Sequence, residues 1–427
     1  MKVLFVTASP VNMETSVGNT FLNILPDGVE AASLYTKVGL PDERVSKAFC
    51  VNEGMLLKCK GGADIYGRYS PECSYKSKKR HGGFMDFARR NRSPLLYMLQ
   101  NIIWRSPVWK SKKLDSFLND CDSDVIFSLL ANNIFLNRLL LYVKKKTGLP
   151  LVIYAWDNNY YDNPYEESFI RRHLHKREKK YMQKIVSSAD KLYVISSLQK
   201  QDYEREFGRE CTVLTKNVSV VGERPAPKKT DGPLEIVYTG GLGVNRWKTL
   251  SLIADALRSI NSDGVKAKLL VYSSTPVDAK IKAKLDDGES SFLCGSVSAD
   301  RIPDIQKNAD ILVHAEAFDD KSRFAVKYSF STKIADYLSS ARPIFAAGPA
   351  DIASVDFFLK TDCAAVATSP EEILTCLEKL ISDKELRKEY ADRAYEYGKK
   401  QFSRELLTKK LYSELNSVIQ GGGEGNA

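Results

Sequence analysis

Short β-branched apolar runs alternate with longer amphipathic stretches along most of this chain, and a polar, proline-rich segment, Gly222 to Pro233 (GERPAPKKTDGP), breaks the rhythm once near the middle. Strands buried on both faces need helices to cover them, so the alternation predicts an α/β architecture with mostly parallel sheets. Before the break the strand candidates are Val3–Ala8, Ala32–Tyr35, Val125–Leu129, Leu151–Tyr154, Lys191–Ile195 and Thr212–Leu214. After it they are Glu235–Thr239, Lys268–Tyr272, Ser291–Leu293, Ile311–Val313 and Pro343–Ala346. The restart predicts two successive doubly wound domains joined by a linker, residues 1–224 and 225–402, with ligands held at the facing carboxyl edges of their sheets. A chain of 427 residues has room for about two such units.

The ends of the chain carry further expectations. In MKVLFVTASP only Lys2 precedes the apolar run and Pro10 ends it, which is not the pattern of a secretory signal. Ser369-Pro370-Glu371-Glu372 has the form of a capping box with proline at the first helical position. Gly398 is expected to interrupt the helix that follows, and Ser403 to cap a last helix, 403–420, that returns to the first domain. Residues 421–427, GGGEGNA, read as a flexible tail.

A net charge of +10 favours an anionic partner, whether nucleotide, nucleic acid or anionic lipid. Eight cysteines without a C-x-x-C pair, in a chain without a signal, read as reduced cytoplasmic thiols. The four histidines suggest no zinc site, since His173 and His175 are two apart and point to different sides of a helix. Between Gly61 and Asn119, basic residues (among them Lys76, Arg89, Arg90, Arg92 and Lys110) interleave with Phe84, Tyr97, Met98, Ile102, Trp104 and Trp109. Two accounts stand side by side for Phe84–Trp109: a helix lying on an anionic membrane, or apolar residues packed into the first domain.

Several constellations carry chemistry. After the strand EIVYT comes Gly240-Gly241-Leu242-Gly243, then Arg246 and Lys248. A glycine turn at a strand's carboxyl end lets backbone approach a phosphate, and the two cations can neutralise a diphosphate. In SFSTKIADYLSSARP, Ser331 or Thr332 can cap a helix whose start binds anions, Lys333 adds charge there, and Asp336 lies one turn on, placed for ribose hydroxyls. Gly18-Asn19 follows the first strand and Trp156-Asp157-Asn158 follows PLVIY, so both suit an acceptor sugar, with Asp157 the nearest thing to a general base. His314-Ala315-Glu316 ends another strand at the donor edge. Asp122-Ser123-Asp124 has a metal-binding form but precedes its strand, away from the cleft, and reads as a turn.

Together these residues resemble a GT-B glycosyltransferase, most like glycosyltransferase family 4, well from about Glu235 to Leu415 and more weakly before. The resemblance implies two Rossmann-like domains facing a cleft and a nucleotide-sugar donor gripped by Gly240, Gly241, Arg246 and Lys248. It implies retention at the anomeric carbon and no metal or other cofactor. The family's E-x7-E motif, counted back from Pro343, puts Asp336 at the second, ribose-binding position and Tyr328 at the first, which is a departure. Either Tyr328 or Glu316 takes the place of that first carboxylate, and the sequence leaves both open. VLTKNV places Asn217 at the family's usual asparagine, while YAWDNN stands where many relatives carry a histidine. The implied function is sugar transfer to a sugar or lipid-linked acceptor in polysaccharide or glycoconjugate assembly, in the cytoplasm or at the inner face of the membrane. The alternatives are a nucleotide-sugar epimerase on the same fold and a non-catalytic basic protein of membranes or nucleic acid, of which nucleic acid is the less favoured partner.

Overall fold

The structure, a computed structural model, describes residues 1–13, 16–65, 94–215, 224–226, 228 and 232–424. Two sheets organise them. The first holds β1 (Lys2–Thr7), β2 (Glu30–Tyr35), β3 (Val45–Cys50), β4 (Ala63–Asp64), β5 (Val125–Leu129), β6 (Leu151–Ala155), β7 (Lys191–Val194) and β8 (Thr212–Val213), in the spatial order β4-β3-β2-β1-β5-β6-β7-β8. The second holds β9 (Leu234–Thr239), β10 (Ala267–Tyr272), β11 (Ser291–Gly295), β12 (Ile311–Ala315), β13 (Ile344–Ala347) and β14 (Ala365–Ala367), in the order β11-β10-β9-β12-β13-β14. All neighbours run parallel except β3 and β4. The central strands are buried along their length, as in β5, β6 and β13, which is what a sheet covered by helices on both faces requires. The order reverses between β1 and β5 and again between β9 and β12. Connections leave toward opposite faces there, opening a crevice at the strands' carboxyl ends.

Strands β3, β4 and β14 escape the sequence reading. β3 carries Ser46 and Lys47 near its start, and β4 and β14 are only two and three residues long. The expected capping box also takes another form. The helix begins at Glu372, after Pro370, and the Glu372 carboxylate accepts from the Thr368 backbone N–H and hydroxyl. Of the segment 222–233, the described members are tied to the second sheet: Lys228 pairs with Asp310 at 3.0 Å and Arg342 donates to the Ala226 carbonyl at 2.8 Å.

Gly398 does not interrupt its helix, which runs unbroken over Lys384–Gln401. Its role is steric: a Cβ there would stand 2.9 Å from the Leu338 Cβ on the helix Thr332–Ser339. Glycine therefore lets the two helices approach closely. Gly398→Ala should lower stability by about 1–2 kcal/mol, overpacking outweighing the better helix propensity of alanine. The check is a lower urea midpoint at unchanged slope; an unmoved midpoint would show that the helices separate freely.

The last helix, Arg404–Glu424, crosses back to the first sheet. Leu411 and Leu415 join Phe5, Phe127 and Tyr193 in one apolar cluster, and Glu414 accepts from the Tyr193 hydroxyl at 2.5 Å. It continues through Gly421 to Glu424, beyond the start of the expected flexible tail. Each residue added to an existing helix gains a hydrogen bond, which offsets the unfavourable propensity of glycine. Residues 425–427 lie outside the described residues.

The basic, aromatic stretch divides between the two accounts. Trp104 and Trp109 are buried, Trp104 stacking on Phe135 at 4.7 Å and donating to Glu53 at 2.8 Å. These tryptophans are core and do not insert into a bilayer. Met98, Leu99 and Ile102, on the helix Pro94–Ile103, face solvent. Residues 66–93, with Lys76, Phe84, Arg89, Arg90 and Arg92, lie outside the described residues.

Candidate functional site

β9 ends at Thr239, and the chain turns at Gly240 with φ +152°, a conformation that favours glycine. A Cβ at Gly240 would stand 2.4 Å from the Lys333 ammonium, which itself lies 4.3 Å from the centre of the Tyr238 ring. The close approach that Gly240 permits is thus that of a cation from this same chain. Gly241 differs: it is exposed, and its carbonyl accepts from the Tyr238 hydroxyl at 2.7 Å. Thr275, which no motif marks, fixes the turn by accepting from Leu242 N–H at 3.0 Å. Lys333 keeps some solvent contact along its length, but its ammonium is crowded by protein. That desolvation, and then the charge of Arg246, lower its pKa from the ordinary 10.5 to about 8, against the opposing pull of Glu316 and Asp336.

Arg246 opens the helix Arg246–Ile260. The preceding Asn245, at φ +56°, leaves the helix start without a side-chain cap. Its amide donates instead to Asp319 at 3.0 Å and Ser322 at 3.1 Å. Arg246 grips Glu316, the residue after β12, with both prongs, Nε to Oε2 at 2.9 Å and Nη2 to Oε1 at 3.0 Å. Glu316 is only 2% exposed. His314 beside it bonds the Ser354 hydroxyl at 2.9 Å and is held well below its ordinary pKa by burial and the nearby charges of Lys333 and Arg246. It is a neutral imidazole of the core. Lys248 is exposed, with its ammonium 6.0 Å from the Trp247 ring centre, and forms no ion pair among the described residues.

Ser331 stands at the N-cap of Thr332–Ser339 but makes no side-chain capping bond, and Thr332, already inside the helix and exposed, makes none either. The expected cap is therefore absent. Asp336 lies one turn inside, half-buried. Gly240, Arg246, Glu316 and Lys333 thus meet at the carboxyl ends of β9 and β12, where the strand order reverses.

On the first domain's side the expectations fare less evenly. Gly18 lies within the helix Ser16–Ile24, and a Cβ there would fall 1.9 Å from the Asn12 carbonyl oxygen. It serves backbone-to-backbone packing of this chain, not the approach of a ligand. The side chain of Asn19 and all of Asn217 lie outside the described residues. Trp156 is half-buried, edge-on to Tyr154 at 6.0 Å. Asp157 is open to water on one side yet crowded by the facing domain; desolvation raises its pKa although it accepts from the Ser329 hydroxyl at 2.9 Å. The Asn158 amide donates to the Phe324 carbonyl at 2.8 Å, so it bridges the domains.

Other residues complete that bridge, and no motif marks the central one, Asp202, in the helix Ser197–Phe207. Its carboxylate accepts from Lys327 at 2.8 Å and from the Tyr328 hydroxyl at 2.6 Å. Tyr328 is buried against Tyr161 and Tyr203. The residue at the position of the motif's first carboxylate is therefore turned onto the other domain. Asp202→Ala would leave a buried hydroxyl unsatisfied and should cost about 1–3 kcal/mol, with Asp202→Asn costing less. Small-angle scattering should show a larger radius of gyration for Asp202→Ala; unchanged scattering and stability would contradict a domain-bridging role.

Among the described residues no group of three or more His, Cys, Asp or Glu could hold a metal. Asp122 and Asp124 sit at the amino end of β5 and bind the side chain and backbone N–H of Lys2, at 2.8 and 2.7 Å. Among the described residues no helix is long and apolar enough to cross a membrane.

Known structures share this architecture end to end. The Anabaena protein HepE, in complex with UDP, matches 98% of this chain over 100% of its own, at 12% identity and a TM-score of 0.63. A trehalose-6-phosphate structure from E. coli, bound with UDP-2-fluoro glucose, matches 97% of this chain over 99% of its own, at 12% identity and a TM-score of 0.60. The fold is GT-B. The pneumococcal O-GlcNAc transferase GtfA, in complex with UDP and GlcNAc, shares it over 73% of this chain and 60% of its own, at 11% identity and a TM-score of 0.53. No protein-family model matches the sequence, and no curated protein sequence does. In GT-B terms, the Gly240–Lys333 and Arg246–Glu316 contacts lie in the second domain, and the Asp202–Tyr328 bridge joins the two.

Proposed function

We propose that this protein is a glycosyltransferase that takes a sugar from a nucleoside diphosphate donor and passes it to a sugar or lipid-linked acceptor, with retention and without a metal. The observation that carries this reading is the convergence of Arg246 and Lys333 over the Gly240 turn, at the strand-order reversal of the second domain. Two cations meet there beside the buried Glu316, so phosphate oxygens entering over the turn would be drawn to both. Lys248 lies nearby as a third, exposed cation. The starts of the helices Arg246–Ile260 and Thr332–Ser339 lack side-chain caps and offer N–H groups to phosphate oxygens. Asp336, one turn in, would accept from ribose hydroxyls. UDP in the HepE complex and UDP-2-fluoro glucose in the E. coli complex support a donor of this class.

In this reading, donor binding places the diphosphate on the cations, which stabilise the charge that develops on the leaving group as the glycosidic bond to it breaks. The acceptor lies against Trp156 and Asp157 of the first domain. The raised pKa of Asp157 makes it a better base than an ordinary carboxylate for an acceptor hydroxyl. Polysaccharide or glycoconjugate assembly at the inner face of a membrane would suit a lipid-linked acceptor.

A thermal-shift panel of UDP, GDP, ADP and their sugar conjugates tests the proposal. One donor family should stabilise the fold by about 2.7 kcal/mol at a hundredfold excess over its Kd. Asp336→Ala should weaken that donor about tenfold or more, as loss of a charged hydrogen bond implies. Turnover should persist in chelator. If no nucleoside diphosphate stabilises the protein, the reading fails.

A further inference from the structure

In the first domain, the helices Pro94–Ile103, Ile134–Thr147 and Phe169–Ser188 border an open cavity of about 280 Å³ that shares no residue with the Gly240–Lys333 cluster. Asn101, Arg105, Ile134, Arg138, Arg177 and Tyr181 line it. Three arginines from three segments line it, and the lining holds no carboxylate. Elsewhere the described arginines commonly meet acids: Arg44 with Asp42, Arg258 with Asp287, Arg323 with Asp351. Among the described residues, none of the three cavity arginines forms an ion pair. An anion seated among three arginines would be attracted by all of them.

We propose that this cavity is a binding site for a phosphate ester, separate from the donor cleft. Arginine forks match phosphate oxygens two at a time, which a lysine cluster would not do. Arg138 is held in place by donating to the Trp104 carbonyl at 2.8 Å, and Trp104 is itself stacked on Phe135, so this prong is pre-positioned. The Tyr181 hydroxyl is a further donor, and Ile134 supplies an apolar wall. The cavity exceeds a bare phosphate and leaves room for the group it esterifies. The helix that supplies Asn101 also exposes Met98 (41%), Leu99 (49%) and Ile102 (49%). Met98 lies close to the Asn101 side of that helix and Ile102 at its flank, within reach of carbon attached to a phosphate in the cavity, whereas Leu99 lies on the far side. The phosphate can come from a lipid headgroup or from a soluble ester, and the two differ in whether those apolar side chains are used.

The test uses the full chain without any sugar donor, so it does not depend on the proposed transferase activity. Glycerol 3-phosphate is titrated by calorimetry at low salt. In parallel, sedimentation is measured with phosphatidylglycerol–phosphatidylcholine vesicles and with phosphatidylcholine alone. The double variant Arg105→Gln/Arg177→Gln should lose binding at least about tenfold, the loss expected for a charged hydrogen bond. A control, Lys280→Gln/Lys284→Gln, removes the same charge from exposed positions on the helix Ala279–Leu285 and should change binding less than about threefold, being remote from the site. Arg177→Lys, which keeps charge but loses the fork, should fall between, and guards against a folding defect in the double variant. Binding of vesicles far above glycerol 3-phosphate, reduced by Ile102→Ser, identifies a lipid headgroup. Equal binding, indifferent to Ile102→Ser, identifies a soluble ester. If neither probe binds, or the control loses as much as the cavity variant, the proposal is overturned.

Discussion

Arg246→Met should be the most destabilising single change in the donor domain, by about 3–5 kcal/mol. It removes the two-pronged partner of a carboxylate that is only 2% exposed. Glu316 would then keep a buried charge that only the field of Lys333 still offsets among the described cations. The cost belongs to the orphaned carboxylate more than to the lost pair. Replacing both partners, as in Arg246→Met/Glu316→Met, should therefore recover most of the loss, since well-packed apolar side chains often do as well as a buried ion pair. Chemical denaturation of the two single variants and the double variant measures this directly. A loss below about 1 kcal/mol for Arg246→Met would mean that water reaches Glu316 in solution, as it does for exposed pairs. The pair also divides Arg246 between two tasks. A guanidinium has five N–H donors, and two face Glu316. Under the proposed function the rest would remain for a diphosphate, on a guanidinium whose orientation Glu316 fixes.

The doubly wound architecture was legible because it rests on a repeating pattern. Buried parallel strands must be apolar throughout, and LVIYA and IFAA announce themselves. The strands that escaped notice are short or lie toward an edge, where pairing and not hydrophobicity defines them, as in β4 and β14. The cluster at the carboxyl ends of β9 and β12 was legible for the same reason: Gly240, Arg246, Glu316 and Lys333 follow strands or stand at helix starts, and topology brings such ends together. What the sequence could not show was who partners whom. Gly18 looked like room for a ligand and proved to be room for the Asn12 backbone, because a glycine reports closeness without naming the neighbour. Gly398 looked like a break and proved to be a helix contact. Asp202 and Tyr328 lie 126 residues apart, and nothing local in either neighbourhood points to the other.

Lys333 should make ligand affinity and stability move in opposite directions above neutral pH. Crowding by protein, and then Arg246, hold its pKa at about 8 against an ordinary 10.5. Below pH 8 it is an ammonium, and under the proposed function a nucleoside diphosphate would find Lys333 and Arg246 both charged. As pH rises through 8 the apo protein sheds this proton, so binding must restore it, and affinity should fall by about tenfold per pH unit once well past the pKa. Stability follows the other sign. Between pH 8 and 10.5 the unfolded chain binds more protons at this lysine than the folded one, so this group's contribution to stability rises with pH across that window. Lys333→Met should abolish both trends and weaken nucleoside diphosphate about tenfold to a hundredfold at pH 7, the loss expected for a charge-assisted hydrogen bond. Other groups titrate in the same range, so the decisive quantity is the difference between wild type and variant. Calorimetric titration with the best nucleoside diphosphate at pH 7 to 9, in buffers of different ionisation heat, would show more proton uptake on binding by wild type than by Lys333→Met. Equal proton uptake in both proteins would place the titrating group elsewhere and remove Lys333 from the phosphates.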